Sequence, residues 1–464
     1  MRLSFNSMGL EKPREIAARV LKVHASGRDY LETLMEDEFR KTNLSAADRG
    51  LAQELAYGVT RWKATLDWLI RRRTEGRHQR PMVEILLRLG LYQMFWLDRV
   101  PDHAAVFETV ELAKAFDQRS KAAFVNAVLR GYAREQDETR RLLAELKKTD
   151  PASGYSHPEW LCNPWQLRWD QKRAEKLLDW NNTPPKTFAR LNTLVASDLL
   201  CDLWTQEGVR FIKRQWDWTG PNLVFELESH PPLATLESHR RGWFYIQDPS
   251  TLLAVRELDP QPGDTVLDLC SAPGGKTTYI AQLMRNQGRV VAQDASRARL
   301  DLVKENCARL AVRCVEMSVA TTVTIPELSV SFDRILVDAP CSNTGAMRRR
   351  VDVRWRIRPQ EIARLQTLQL ELLANAAVQL KPGGVLVYST CSLEPEENHD
   401  VVENFIAHDP TMRLESERQL LPFEDHVDGA YVARLIRDSS KLPASTKREA
   451  SGRSAERGAK IPVR

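Results

Sequence analysis

The sequence predicts a multidomain protein with an all-α domain, a small α+β subdomain and an α/β domain built on a parallel sheet. Three observations support this expectation. Apolar residues recur at helical spacing through the first third of the chain, short β-rich runs separated by prolines follow, and from Asp264 onwards strands alternate with helices. The chain has 464 residues, which is enough for several domains of ordinary size.

The all-helical domain is expected over residues 1–150. Apolar residues such as Leu51 and Leu55 recur there at helical spacing, and few strand-like alternations interrupt the pattern. Ser45 followed by Asp48 is typical of a helix start. The hydroxyl can accept an unpaired backbone N–H, and the carboxylate complements the helix dipole.

The small α+β subdomain is expected over residues 158–259, where prolines separate short β-rich runs. The predicted elements are strands over Thr187–Leu191, Leu223–Leu227 and Gly242–Ile246 and a helix near Ala196–Glu207.

The α/β domain is expected over residues 260–437. Alternating strands and helices predict a parallel sheet covered on both faces. The predicted elements are strands over Thr265–Cys270, Arg289–Asp294, Phe332–Asp338 and Val385–Thr390, a long helix over Glu361–Leu380 and an added edge strand within Asp428–Ile436.

Composition and cysteine usage favour a protein of a reducing cytoplasm. The seven cysteines are odd in number and no two form a CxxC pair, so neither a disulfide framework nor a metal site is expected. Met1–Glu11 lacks the apolar core of a signal peptide, and no segment stays apolar over the ~18 residues of a membrane helix. Residues 438–464 are rich in Ser, Lys and Arg and are predicted to be a disordered basic tail. The net charge of +5 permits an anionic partner.

Three segments at the ends of predicted strands carry residues typical of a nucleotide-type ligand site. In Cys270–Lys276, Gly274 and Gly275 remove side chains where the backbone must approach a ligand. Asp294, about 20 positions later, can accept hydrogen bonds from ribose hydroxyls, and Asp338 ends a further strand. A glycine-rich turn alone is common, and the GxGxxG pattern of a nicotinamide site is absent. The prediction therefore depends on the three segments together.

Two cysteines, Cys341 and Cys391, each follow a predicted strand and are expected to face the same crevice. A single cysteine is more often a small core residue, but two at one edge of a sheet favour thiol chemistry. Attack of a thiolate on C6 of a cytosine makes C5 electron-rich enough to accept a methyl group from a sulfonium, and a base then removes the C5 proton. Asp338 is placed to contact the base near N3 and N4. The base must be unpaired or flipped out to reach a buried thiol.

The motifs of the second half of the chain resemble those of the NOL1/NOP2/Sun family of RNA cytosine-C5 methyltransferases. The likeness covers about Pro184 to Arg437 and follows the family's order through the segments Arg190–Leu194, Gln247–Ser250, Ala272–Lys276, Asp338–Cys341 and Thr390–Ser392. The resemblance implies a Rossmann-like methyltransferase domain, S-adenosylmethionine as cofactor and RNA as substrate. It also implies that Cys391 is the nucleophile and that Cys341 assists product release.

These motifs together define the predicted site. Its catalytic residues are Cys391, Cys341, Asp338 and Lys276, and its cofactor-binding residues are Cys270, Ser271, Ala272, Pro273, Gly274, Gly275, Lys276, Asp294 and Asp338. The segment Val315–Ala320 departs from the family, because it lacks the usual Gly-Asp on the adenine side. Ser318 or Glu316 would have to serve there.

The helical domain resembles the RNA-binding NusB fold in the segments Asp48–Gly58 and Phe124–Arg130. The combination is similar to bacterial methyltransferases of small-subunit (16S) ribosomal RNA. It implies ribosomal RNA as the partner, and the enzyme is expected to act as a monomer.

Three other functions stay open at this stage. Transfer RNA could replace ribosomal RNA as the substrate. A DNA cytosine-C5 methyltransferase would use the Pro-Cys thiol of Cys341 as the nucleophile, but the Glu-Asn-Val triplet of that class is absent and Thr390-Cys391 is present. A non-catalytic RNA-binding or antitermination factor is supported only by the altered Val315–Ala320 segment.

The basic run Arg348–Arg358 directly follows the Cys341 loop and is expected to contact RNA phosphates. Trp355 within it could stack on a base, but packing is the expected role.

Two further groups of polar residues accompany the motifs. Glu394, Glu396 and Glu397 are expected to supply favourable charge to a helix N-terminus. Arg190 and Asn192 could contact RNA or brace the subdomain.

Overall fold

The computed structural model describes residues 12–27, 29–320 and 331–441. The chain divides into two compact units, one formed by Met1–Pro184 with Met347–Arg356 and the other by Pro185–Ala346 with Ile357–Arg464. The first unit thus includes residues 158–184, and the second holds residues 185–259 together with most of 260–437. The expected domain boundaries stay a prediction.

The sequence predicted no signal peptide at the N-terminus and a disordered basic tail at the C-terminus. Met1–Glu11 and residues 442–464 of the predicted tail lie outside the described residues, and Ser439–Lys441 form a 3-10 turn. Within the described part of the chain, no helix is long and apolar enough to cross a membrane.

The first unit is helical, as predicted from the spacing of its apolar residues. The Ser45 hydroxyl oxygen accepts the Asp48 N–H at 3.1 Å and donates to the Asp48 carboxylate at 2.7 Å, which confirms the predicted helix start. The helices are α1 Pro13–Ser26, α2 Leu31–Lys41, α3 Ala46–Arg61, α4 Lys63–Arg73, α5 Pro81–Trp96, α6 Asp102–Ala115, α7 Ala122–Arg134, α8 Gln136–Thr149, α9 Pro151–Gly154 and α10 Glu159–Asn182.

A segment from the second half of the chain, Met347–Arg356, also belongs to this helical unit. Val351 joins the hydrophobic core of the unit, and the Arg354 side chain is fully buried. The Arg354 guanidinium donates to the backbone oxygens of Ser156 and Asn181 and to the side-chain oxygen of Asn182, at 2.9–3.1 Å. A buried cation thus satisfies three buried acceptors and fixes the segment in place.

The prediction that the whole basic run contacts phosphates is wrong for two of its residues. Arg348 is buried with its guanidinium 4.2 Å from the centre of the Trp180 ring, and Arg354 is enclosed as described. Burial lowers the pKa of Arg354 to about 9, so the group stays charged at neutral pH. Trp355 packs as expected, and its indole N–H donates to the Thr60 oxygen at 2.7 Å. The burial of Arg354 could not be predicted from the basic run itself, because the oxygens that accept its hydrogen bonds come from distant parts of the sequence.

The second unit contains two sheets, of which the smaller is antiparallel with the strand order β2-β3-β1-β4. The predicted strands and helix of this region are confirmed with small shifts at their ends. The edge strand β2 was missed, because its residues are mostly exposed and basic. The elements are β1 Thr187–Leu191, α11 Ser197–Gln206, β2 Arg210–Arg214, β3 Val224–Ser229, α12 Glu237–Arg240, β4 Phe244–Ile246 and α13 Thr251–Leu258.

The larger sheet has seven strands in the order β10-β11-β9-β8-β5-β6-β7. Its elements are β5 Thr265–Leu269, α14 Gly275–Leu283, β6 Arg289–Asp294, α15 Arg297–Arg309, β7 Val315–Val319, β8 Phe332–Asp338, α16 Pro359–Gln379, β9 Leu380–Thr390, α17 His399–His408, β10 Met412–Leu420, α18 Pro422–Asp425 and β11 Ala430–Arg437. Strands β7, β6, β5, β8 and β9 run parallel, whereas β11 is antiparallel to β9 and β10 is antiparallel to β11. The parallel sheet predicted from the alternation of elements is therefore confirmed.

One strand of this sheet differs in position from the prediction. The strand expected at the edge within Asp428–Ile436 is β11, which lies between β9 and β10. The strand at this edge of the sheet is β10. Its sequence does not show the apolar alternation of a strand, because Arg413, Glu415 and Glu417 are charged. An edge strand buries one face weakly, so its apolar pattern is faint.

The buried Arg354 supports a stability prediction. Arg354→Met should lower the free energy of unfolding by about 1–3 kcal/mol for each buried acceptor left without a donor. Chemical denaturation followed by circular dichroism measures this loss. Arg358→Met is the matched control, because Arg358 is an exposed arginine of the same run; its effect should stay within about 0.5 kcal/mol. Equal stabilities of the two variants would contradict the bracing role.

Candidate active site

The parallel strands bring the predicted site residues to one edge of the larger sheet. Asp338 at the end of β8 is paired in register with Ser389 near the end of β9. The Cys341 loop and the Cys391 loop therefore leave neighbouring strands at the same edge. The loop Cys270–Gly274 leaves β5, on the other side of β8, at that edge as well.

The loop between β5 and α14 has the conformation that its glycines permit. Gly274 has a φ of +99°, and a Cβ there would lie 3.2 Å from the backbone of Val303. Both observations favour glycine at this position. The helix then begins at Gly275, so its unpaired N–H groups face the edge of the sheet where a ligand is expected.

Asp294, the residue expected to bind ribose, ends β6 and is buried. Its carboxylate accepts the backbone N–H of Ala272 at 3.3 Å and that of Ser296 at 3.1 Å. It also lies 3.1 Å from the Arg299 guanidinium, which in turn donates to the Ala272 oxygen at 2.8 Å. Asp294 therefore holds the β5–α14 loop in place as well as lying beside it.

Several buried polar atoms in this region have no hydrogen-bond partner, among them Asp268 Oδ1 and Ser271 Oγ. Burial raises the pKa of Asp268 to about 7, and the Thr277 hydroxyl donates to its other oxygen at 2.6 Å. Unsatisfied buried polar atoms are costly, and a ligand is one way in which they become satisfied. The region thus fits a polar ligand such as the ribose and amino acid parts of S-adenosylmethionine. Sequence reasoning missed Asp268, although a carboxylate within an apolar strand was a visible signal.

Lys276 and Asp338, both predicted catalytic residues, form an ion pair with 2.7 Å between Nζ and Oδ2. The Ser389 hydroxyl donates to the other Asp338 oxygen at 2.8 Å. Burial lowers the pKa of Lys276, but the Asp338 carboxylate outweighs it and the pKa is raised overall. The charge of an ionised Cys391 is a lesser cause of the same rise in the pKa of Lys276.

The two cysteines lie side by side, with 3.4 Å between their sulfur atoms. The Cys391 backbone N–H points at the Cys341 sulfur, also at 3.4 Å, and the Cys391 thiol lies 3.2 Å from the Asn343 side-chain oxygen. Gly345 lets the loops approach, because a Cβ there would lie 2.9 Å from the Cys391 oxygen. The hydrogen bond with Cys391 and then burial raise the pKa of Cys341. Cys341 is therefore a neutral thiol beside Cys391.

Arg190 braces this half of the molecule. Its buried guanidinium donates to the Gly275 oxygen and the Gln247 side chain, both at 2.6 Å, and to the Thr278 hydroxyl at 3.1 Å. Burial lowers its pKa to about 10, so it remains a cation. Asn192 is buried too and donates to two backbone oxygens. Of the two roles expected for these residues, the structure supports bracing.

The segment that departs from the family pattern forms β7 and its end. Ser318 and Val319 pair with the last two residues of β6, so the end of β7 lies next to Asp294. The exposed Glu316 forms an ion pair with Arg289 at 2.7 Å. Residues 321–330, which follow, lie outside the described residues.

Comparison with known proteins identifies the family. Residues 255–436 match the family described as 16S rRNA methyltransferase RsmB/F, and residues 11–134 match the NusB family. The chain is 36% identical over 409 residues to a probable ribosomal RNA small subunit methyltransferase B of Bacillus subtilis, covering 86% of this chain and 88% of that protein. The chain belongs to the 16S rRNA methyltransferase RsmB/F family.

Solved structures agree with this family assignment. A methyltransferase homologue from Pyrococcus horikoshii is 30% identical, with a TM-score of 0.55 over 62% of this chain and 98% of that chain. The crystal structure of PH0851 has a TM-score of 0.74 over 94% of this chain and 100% of that chain. At 23% identity it shows a shared fold.

The family membership confirms several expectations from the sequence. The protein is an S-adenosylmethionine-dependent RNA methyltransferase with a NusB-like helical region and a Rossmann-like domain. The roles of the individual site residues remain predictions. Among the described residues, no cluster of three or more His, Cys, Asp and Glu side chains could hold a metal ion.

The position of Asp294 supports a binding prediction. Asp294→Asn should weaken S-adenosylmethionine and S-adenosylhomocysteine alike, because both carry the ribose. The loss of a charge-assisted hydrogen bond suggests about 1.5–3 kcal/mol. Calorimetry measures both affinities. Asp301→Asn on α15 is the matched control, since its side chain is 60% exposed; wild-type affinity in Asp294→Asn would place the ribose elsewhere.

Proposed function

We propose that the enzyme methylates C5 of a cytosine in small-subunit (16S) ribosomal RNA through a covalent bond between Cys391 and C6. The observation that carries this proposal is the pair of thiols 3.4 Å apart at the edge of the sheet where the β5–α14 loop also begins. A lone thiol at such an edge would be compatible with packing, whereas two adjacent ones fit attack followed by release.

The reaction divides into steps that this chain's own residues can perform. The Cys391 thiolate attacks C6 and raises the electron density at C5. Asp338, fixed by Lys276 and Ser389, is placed to interact with N3 and N4 of the base. After transfer, C5 loses its proton to a base and the Cys391 sulfur leaves as a thiolate. Cys341 assists that release.

The proposed cofactor-binding residues lie at the carboxyl-terminal ends of β5, β6 and β8, on the same side of the larger sheet. Residues Cys270–Lys276, Asp294 and Asp338 would hold S-adenosylmethionine, which supplies the electrophilic methyl group that C5 accepts. Asp268 joins this set, because its unpartnered carboxylate oxygen is buried beside the loop.

Ribosomal RNA is the proposed substrate, since the curated relatives are ribosomal RNA small subunit methyltransferases. Bisulfite mapping of cellular RNA with and without this protein tests the proposal. A cytosine in 16S RNA should lose its methyl group when the protein is absent, and a loss confined to transfer RNA would contradict it. We also propose a monomeric enzyme of the cytoplasm, a compartment that fits the absence of disulfide bonds among the cysteines of the described residues.

The roles of the two cysteines make opposite predictions. Cys391→Ala should neither attach to RNA nor transfer a methyl group. Cys341→Ala should still attack and then stall with RNA attached. A denaturing gel with labelled RNA and S-adenosylmethionine measures this, because the stalled adduct migrates as a slow band.

The controls separate the alternative functions. The double variant should show no band, since the nucleophile is missing. A band from Cys391→Ala would contradict the assignment and favour Cys341 as the nucleophile, as in DNA cytosine-C5 methyltransferases. Absence of turnover in the wild type would favour a non-catalytic RNA-binding factor.

A further inference from the structure

Glu397 is a fully buried carboxylate beneath the two cysteine loops. The sequence favoured a charge at the N-terminus of a helix for Glu394, Glu396 and Glu397, and for Glu397 the structure adds a set of hydrogen-bond partners that the sequence did not predict. The side chain makes its bonds to loop residues and to a neighbouring helix, and not to the first turn of α17. Glu396 in the same turn is exposed.

Both oxygens of Glu397 accept hydrogen bonds that link the two loops. Oε1 accepts the backbone N–H of Ser342 at 2.8 Å and the side-chain amide of Gln369 at 3.2 Å. Oε2 accepts the hydroxyl of Ser392 at 2.6 Å and that of Ser342. Ser342 directly follows Cys341, and Ser392 directly follows Cys391. One carboxylate thus bonds to the neighbour of each cysteine.

The surroundings leave this arrangement little freedom. Ser342, Thr344, Ser392 and Gln369 are fully buried, and the two serine hydroxyls lie 3.1 Å from each other. The Tyr388 hydroxyl donates to the Glu397 backbone oxygen at 2.6 Å, which fixes the glutamate to β9. Hydrogen bonds to a buried carboxylate are strong, and removal of the carboxylate leaves several donors unsatisfied.

We propose that Glu397 is a positioning residue that ties the Cys341 loop to the Cys391 loop and keeps Cys341 close enough to resolve the adduct formed by Cys391. This inference rests on the proposed function. Glu397 reaches the two cysteine loops through its hydrogen bonds to Ser342 and Ser392, and its charge also raises the pKa of Cys341. Loss of these hydrogen bonds should affect release of the product more than attack, because the proposed attack does not use Cys341.

The test compares Glu397→Ala with the control Glu396→Ala in the labelled-RNA gel. Glu397→Ala should accumulate covalently attached RNA, as Cys341→Ala does, and its kcat should fall by up to about 100-fold through misplacement of a reacting group. Its affinity for S-adenosylmethionine should stay unchanged, because Glu397 bonds to none of the proposed cofactor-binding residues. Glu396→Ala should behave as the wild type.

Glu397→Gln is the conservative variant. Its amide oxygen can accept from Ser342 N–H and Gln369, and its NH2 group can donate to the serine hydroxyls, which can rotate to accept. It should therefore recover most of the turnover and show little adduct. A glutamine variant as defective as the alanine variant would overturn the proposal, since it would assign the role to the charge.

The double variant Ser342→Ala/Ser392→Ala covers the case in which Glu397→Ala fails to fold. It removes both hydroxyls and keeps the carboxylate, and it too should accumulate adduct. Normal release of RNA by either folded variant would overturn the role of Glu397. Failure of the proposed function would give a different result, because Cys341→Ala itself would then show no adduct. If Cys341→Ala stalls with RNA attached and Glu397→Ala releases RNA normally, only the positioning role of Glu397 is refuted.

Discussion

The parallel pairing of β8 with β9 places the reacting groups of this enzyme. Because Asp338 and Ser389 are in register, the loops that follow each strand begin side by side. Cys341 and Cys391 then lie 3.4 Å apart, although 50 residues separate them in the chain. The pairing of β5 with β8 adds Lys276, whose ammonium contacts Asp338. The sheet therefore brings the two thiols and the Lys276–Asp338 pair close together, and contacts within the loops set the final distances.

Buried charges secure the loops on which this geometry depends. Arg190 links the smaller sheet to the start of α14, and Glu397 links the two cysteine loops. Each of these charged groups makes several hydrogen bonds, which offset the cost of burying the charge, although the Nε atom of Arg190 has no hydrogen-bond partner. In the helical unit, Arg354 fixes the segment Met347–Arg356 by the same means.

The elements that the sequence predicted best are those buried on both faces. Strands β6 and β8 begin and end at the predicted residues, because a parallel strand covered by helices is a continuous apolar run bounded by polar residues. Strands β2 and β10 were missed, since each is an edge strand with many charged residues. Their partners, and not their own composition, determine their structure.

The candidate site shows the same division. Motifs identified the cofactor loop and both cysteines, and the structure brings Lys276, Asp338 and the two thiols to one edge of the sheet. Charged residues were the hardest to place from the sequence. Arg354 and Glu397 have the sequence surroundings of surface residues, but both are buried. Whether a charged side chain is buried depends on acceptors and donors from distant parts of the chain, which one sequence does not reveal.

The central claim is that Cys391 bonds to C6 of a cytosine in RNA. RNA in which the target cytosine carries fluorine at C5 measures this most directly, since C5 then has no proton to lose and the adduct cannot be released. After digestion, mass spectrometry locates the cysteine that carries the nucleotide. The account predicts attachment to the peptide that contains Cys391. Attachment at Cys341, or the absence of any attached nucleotide in the presence of S-adenosylmethionine, would contradict it.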